Sequence, residues 1–195
     1  RISEGWGTLR PGARVTPEVV IATGWVGGNP KFEIRNPKFE IARWLSSAFR
    51  ATVETGGLVA DLVLVVEDDP ANAVLVEAIL TTVGDFEVLR ADDGDEVLRA
   101  VRELPVAAVL MDVSLSHTRV DGERVDGVEL TRRLRDFPEG LNLPVILLTA
   151  HAMRGDRERL LFSSGANDYV AKPIADQQGL VDLLRRHIDA SGLVG

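Results

Sequence analysis

Residues 63–72 read VLVVEDDPAN: four apolar residues run without a break into Glu67, Asp68 and Asp69, and Pro70 follows. An uninterrupted apolar run suits a central strand of a parallel sheet, because helices cover both of its faces. Asp69 offers an N-cap side chain and Pro70 a backbone angle already set for a first helical turn, so the strand hands over at once to a helix. The pattern recurs. Residues 62–66, 86–90, 107–111, 145–148 and 169–171 read as strands, and residues 70–83, 95–104, 128–136, 154–163 and 178–188 read as helices. Strands and helices in strict alternation predict an α/β fold, a doubly wound five-stranded parallel sheet flanked by five helices.

The 195 residues carry a formal net charge of −8 and are 45% hydrophobic, enough for one good core and hardly for two, so one globular domain is expected. Phosphate backbones are bound by clustered Lys and Arg that carboxylates do not outweigh, so no direct contact with nucleic acid is expected. The chain has no Cys, which removes disulfides, thiolate metal sites and a Cys nucleophile and is compatible with a cytoplasmic setting. No apolar stretch approaches the roughly 20 residues that span a bilayer, so no membrane partner is expected.

Residues 1–57 break the pattern: they hold all three Trp, repeated Gly and Pro, and no sustained apolar period. NPKFEI stands at 29–34 and again at 36–41, and Pro30 and Pro37 rule out a continuous helix through the repeat. The segment reads as a low-complexity or disordered leader; a docking peptide presenting Phe32 and Phe39 is the functional alternative. One short amphipathic helix is expected at about 39–53, with Ile41, Trp44, Leu45 and Phe49 on a shared side. The domain proper is set at 58–191 and a tail at 192–195, and no output domain fits after the fifth helix.

In a doubly wound sheet the ligand crevice lies outside the carboxyl ends of the strands. There this sequence places Glu67, Asp68 and Asp69 after the first strand, Asp112 after the third, Thr149 and Ala150 after the fourth, and Lys172 and Pro173 after the fifth. Each alone has a plain structural explanation: an acid complements a helix dipole, and a strand-ending Lys is solvated. Together they form a polar set at one edge of an apolar sheet. Clustered carboxylates repel and raise one another's pKa unless a hard dication such as Mg²⁺ accepts their oxygens.

VLVVEDDPAN, AAVLMDVSL at 107–115, VILLTAHAM at 145–153 and GANDYVAKPI at 165–174 resemble, in order, the successive motifs of the response-regulator receiver (CheY-like) family of bacterial two-component systems. The resemblance covers about residues 58–191 and implies a flavodoxin-like sheet of strand order 2-1-3-4-5. By it Asp112 is the phosphoacceptor, Glu67 and Asp68 form the acidic metal-binding pair, Thr149 is the switch hydroxyl, Lys172 the cation that meets a phosphoryl oxygen, and Tyr169 the switch aromatic. Mg²⁺ (or Mn²⁺) would be held by Asp68, Asp112 and the backbone carbonyl of Ser114, with Glu67 acting through water. Ala150 leaves room for the phosphoryl group and presents its N–H, and His151, two residues past Thr149, is the candidate for tuning phosphoryl lifetime. The resemblance further implies a stand-alone, cytoplasmic signalling protein. Its phosphodonor is a histidine kinase or histidine phosphotransfer protein, and it acts on a downstream protein. It catalyses its own phosphorylation and is not a turnover enzyme.

The chain departs from the family after Asp112. Receivers commonly carry Met-Pro or Leu-Pro there and then Asp-Gly entering the third helix; here Asp112 is followed by VSLSHTRVDGERVDGVEL, without the Pro. Arg-Val-Asp-Gly occurs at 119–122 and at 124–127, a small duplication that reads either as a tolerated surface insertion or as a gate that selects a kinase. His117 and His187 read as solvated, with no partner at metal-ligand spacing. Two other classes compete. A phosphatase of the haloacid dehalogenase type also uses a strand-end Asp, Mg²⁺ and a Lys, but it needs a second Asp where Ser114 stands. A receiver-like interaction module that works without phosphate has no use for an intact set of Asp112, Thr149 and Lys172.

Overall fold

The computed structural model describes residues 61–150 and 156–192, with only the backbone of residues 156 and 157. The expected leader at 1–57, its helix at about 39–53, and His151 lie outside the described residues. In chain order the elements are β1 (Leu62–Val66), α1 (Pro70–Thr82), β2 (Glu87–Ala91), α2 (Gly94–Glu103), β3 (Val106–Asp112), β4 (Arg119–Val120), β5 (Glu123–Arg124), α3 (Gly127–Arg135), α4 (Pro138–Leu141), β6 (Val145–Thr149), α5 (Asp156–Ser164), β7 (Asp168–Ala171) and α6 (Gln177–Gly192).

Five strands form one parallel sheet in the order β2-β1-β3-β6-β7, which is the expected 2-1-3-4-5 once the small β4–β5 hairpin is set aside. Successive strand residues face opposite sides, so each strand feeds two cores. Leu64, Val66, Val109, Met111, Val145 and Leu147 are buried in the cluster that includes α2 and α3 side chains. Val63, Val65, Ala108, Leu110, Ile146 and Leu148 are buried in the cluster that includes α1 and α6 side chains. Burying each such side chain contributes about 1.5–3 kcal/mol, which is why the central strands are apolar on both faces.

β1 pairs with β2 on one side and β3 on the other, while β3 continues to β6, so the winding reverses between β1 and β3. Loops leave that point in opposite directions and open a crevice at the strand ends. Asp69 caps α1 by accepting from the N–H groups of Ala71 and Asn72, both at 2.9 Å. The expected N-cap role of Asp69 is thus observed.

Two elements differ from the expectation. The one-turn α4 opens on Pro138, and four residues are too few to register as an apolar period. The long loop after Asp112 folds into the β4–β5 hairpin, whose turn residues Asp121 and Gly122 both have positive φ, 51° and 83°. That pair is the preferred chemistry for a two-residue turn that matches strand twist. The hairpin buries Val120 and Val125, so it is part of the core. The repeated Arg-Val-Asp-Gly therefore serves two purposes: the first copy turns the hairpin, and in the second Asp126 caps α3 by accepting from the N–H of Glu129 at 2.8 Å.

Arg135, at the end of α3, ties three loops together. It donates to the carbonyls of Gly140, Leu143 (2.8 Å) and Gly165 (2.9 Å) and to Asn167 Oδ1 (2.9 Å), which also accepts from the N–H of Val145 at 2.8 Å. Burial pushes its guanidinium pKa below the ordinary value. Arg135→Ala is expected to lower stability by about 2 kcal/mol in urea denaturation, because it strips charged donors from part-buried acceptors; a midpoint equal to the wild type would show that water replaces them without cost.

Candidate functional site

Glu67 follows the last residue of β1, and its side chain is only 1% exposed. A carboxylate this deep needs partners. Glu67 Oε1 accepts from the N–H of Asp69 at 3.3 Å, and Oε2 accepts from Lys172 Nζ at 2.5 Å. Asp112 ends β3, and its Oδ1 accepts from the N–H of Ser114 at 3.2 Å and from Lys172 Nζ at 3.0 Å. Lys172 follows β7, where its own N–H donates to the carbonyl of Thr149 at 2.8 Å. One ammonium thus bridges the carboxylates that close β1 and β3. Burial pushes the Lys172 ammonium toward a lower pKa, but the hydrogen bonds and charges of Glu67 and Asp112 outweigh it and hold the pKa above the ordinary value.

Asp68 is held differently. Its Oδ2 accepts from the N–H of Ser116 at 2.7 Å, from Ser116 Oγ at 2.9 Å and from the N–H of His117 at 3.1 Å. Partial burial pushes the Asp68 carboxyl up, yet these donors and the nearby His117 outweigh it and bring the pKa below the usual carboxylate value. Hydrogen-bond donors thus favour the charged form of Asp68. Lys172 and backbone donors already supply much of the compensation.

One carboxylate oxygen from each of Glu67, Asp68 and Asp112 lies within 4.8 Å of the other two. Among the described residues, three carboxylates set against one ammonium leave this cluster with a net negative formal charge. An all-oxygen donor set with that residual charge fits a hard divalent cation such as Mg²⁺. Glu67, expected to act through water on the metal, accepts from Lys172 at Oε2 and from the N–H of Asp69 at Oε1.

Thr149 is buried at the end of β6 and, with Val113, Ser114, Arg159, Leu160, Phe162 and Ser163, lines an open hollow of about 580 Å³ beside Asp112. Ala150, the next residue, is exposed. Tyr169 sits part-buried on β7 opposite Leu147, and Thr149 is opposite Ala171, so strand alternation puts Tyr169 and Thr149 on the same face of the sheet. His117 is exposed, as expected, but its backbone N–H holds Asp68. His187 is corrected: its Nε2 lies 3.6 Å from Asp168 Oδ2, a contact between α6 and β7 that sequence spacing does not reveal. Ser116 is the residue that sequence reading passes over. The only local signal is the absence of the Pro usual in this loop, since a proline there would have no N–H to donate.

The family model of the response regulator receiver domain matches residues 63–185, more than half of the chain. The chain belongs to the response regulator receiver family. A similar solved structure is the receiver domain of the sensor histidine kinase PA1611 from Pseudomonas aeruginosa PAO1, with a magnesium ion coordinated in its active site cleft. It is 36% identical, with a TM-score of 0.57, over 67% of this chain and 99% of that one. The sensor histidine kinase GacS of Pseudomonas protegens is 38% identical over 119 residues, 61% of this chain but 12% of the kinase. The polar-differentiation response regulator DivK of Brucella anthropi is 36% identical over 113 residues, 58% of this receiver and 85% of DivK. The chain thus spans about an eighth of the sensor kinase it matches and most of DivK. Among the described residues no helix is long and apolar enough to cross a membrane.

Proposed function

We propose that this receiver accepts a phosphoryl group onto Asp112 from the phosphohistidine of a histidine kinase or histidine phosphotransfer protein, and that the modification switches its binding to a downstream protein. The observation that carries the reading is the Lys172 ammonium held between Glu67 and Asp112, with a carboxylate oxygen of Asp68 in the same cluster. Asp68, Asp112 and the backbone carbonyl of Ser114 would hold Mg²⁺ or Mn²⁺, with Glu67 contributing through water or through Lys172. When bound, the cation supplies positive charge between the carboxylates and the phosphoryl oxygens.

The chain's own groups do the rest. Both contacts of the Asp112 carboxylate fall on Oδ1, which leaves Oδ2 to attack phosphorus in line. The new O–P bond forms as the P–N bond to the donor imidazole breaks, and the electron pair of that bond leaves with the imidazole. Lys172 Nζ, already beside Asp112, pairs with a phosphoryl oxygen, the Thr149 hydroxyl donates to another, and the N–H of Ala150 to the group beside it. Tyr169, on the same face as Thr149, follows the hydroxyl inward and gives partners a two-state surface. His151 adjusts how long the acyl phosphate survives. Phosphorylation in this reading is self-catalysed and not a turnover activity.

Resemblance to most of DivK supports a stand-alone regulator, while resemblance to part of GacS supports a receiver joined to a kinase. Incubation of the full chain with acetyl phosphate and Mg²⁺ is expected to raise its intact mass by one phosphoryl group, and EDTA to prevent it. An unchanged mass would favour an interaction module that works without phosphate, and repeated turnover of a small phosphate ester would favour a phosphatase.

A further inference from the structure

Asp68 is gripped from a distance of 48 residues in sequence by the loop that follows Asp112. Three donors, two from Ser116 and one from His117, converge on a single carboxylate oxygen. An oxygen with three donors has no lone pair to spare, so a cation approaching Asp68 meets the other oxygen, in an orientation the loop has already chosen.

The grip has a firm base. Leu115, just before Ser116, is buried, and Thr118, just after His117, is 1% exposed. Thr118 Oγ1 donates to the carbonyl of Asp92 at 2.8 Å, and the Thr118 carbonyl accepts from the N–H of Val125 at 3.2 Å. Beyond it the hairpin inserts Val120 into the core, and Asp95 Oδ1 accepts from the N–H of Asp121 at 3.1 Å. The exposed pair Ser116 and His117 is therefore held between two anchored residues as it closes over Asp68.

We propose that Ser116 is a positioning residue for the metal: with the His117 N–H it fixes the Asp68 carboxylate and thereby sets the receiver's affinity for a divalent cation. This rests on the reading that Asp68 and Asp112 hold such a cation. Without the grip, Asp68 must be ordered when the cation arrives, and that ordering cost is subtracted from binding.

The test is a calorimetric titration of the metal-stripped full chain with Mg²⁺. Ser116→Ala removes the hydroxyl and keeps the N–H; Ser116→Pro removes both; Ser116→Thr keeps both. Loss of groups that orient metal ligands costs on the order of tenfold or more in affinity, so the dissociation constant is expected to rise roughly threefold for Ser116→Ala and roughly tenfold for Ser116→Pro. Ser116→Thr should remain within about twofold of the wild type, since it restores the same donors. Melting of the metal-free Ser116→Ala variant should match the wild type, which separates positioning from general loosening. Equal affinities in all four proteins would overturn the proposal and leave the metal reading intact. Tighter binding by Ser116→Ala would also overturn it, since the loop would then compete with the metal. A wild-type chain that takes up no Mg²⁺ would bring down the metal reading itself.

Discussion

Asp112→Asn is expected to lose labelling by acetyl phosphate or by a phosphorylated histidine donor, with the rate falling by about a thousandfold or more, the scale felt when a covalent nucleophile is removed. The reason is local. A neutral amide is a poor nucleophile, and an amide nitrogen turned toward Lys172 would set donor against donor at the 3.0 Å contact that now joins the ammonium to Asp112 Oδ1. The fold should survive. The substitution removes one of three clustered carboxylates, and less like-charge repulsion should leave melting of the metal-free protein unchanged or raise it. Intact mass after acetyl phosphate treatment, read beside thermal melting of the same sample, checks both halves. Full labelling of Asp112→Asn would place the acceptor elsewhere and remove the basis of the functional assignment.

Gly127→Ala is expected to destabilise the fold by about 3 kcal/mol, at the upper end of the range for overpacking. A Cβ at residue 127 would stand 1.9 Å from the carbonyl oxygen of Asp112 and 2.8 Å from its carbonyl carbon. Neither side can yield. The start of α3 is drawn in because the N–H of Gly127 donates to the carbonyl of Val113 at 3.2 Å. The Asp112–Val113 segment is in turn held to β6 by the N–H of Val113, which donates to Leu148 at 2.9 Å. A methyl group here therefore strains helix and acceptor strand together, and Mg²⁺ binding should weaken along with stability. Gly122, the other glycine of the repeated motif, provides the control. A Cβ there meets nothing within 4 Å, so Gly122→Ala should cost only the strain of a positive φ, about 1 kcal/mol. Urea denaturation of both variants decides the matter: equal losses would mean that α3 does not approach Asp112 as closely as described.

The two glycines show where local reading stops. Each stands in Arg-Val-Asp-Gly, and nothing within four residues separates a hairpin turn from a capped helix start. The Asp-Gly at 121–122 could have been read as a two-residue turn from its chemistry. That Gly127 must lack a side chain follows only from the carbonyl that packs against it.

The sequence alone carried what depends on neighbours along the chain: unbroken apolar runs that demand cover on both faces, a cap at Asp69 before Pro70, and polar groups placed wherever an apolar strand stops. Those features define the sheet and its helices and bring Glu67, Asp68, Asp112 and Lys172 to one edge of it, since strand ends in a doubly wound fold converge whatever loops join them. Tertiary structure decided the pairings inside that membership. Lys172 meets Glu67 across 105 residues, and Ser116 reaches Asp68 across 48. A hydrogen bond between distant residues costs and gains nothing until the chain has closed the intervening loop, so it leaves no periodicity, cap or composition by which to foresee it.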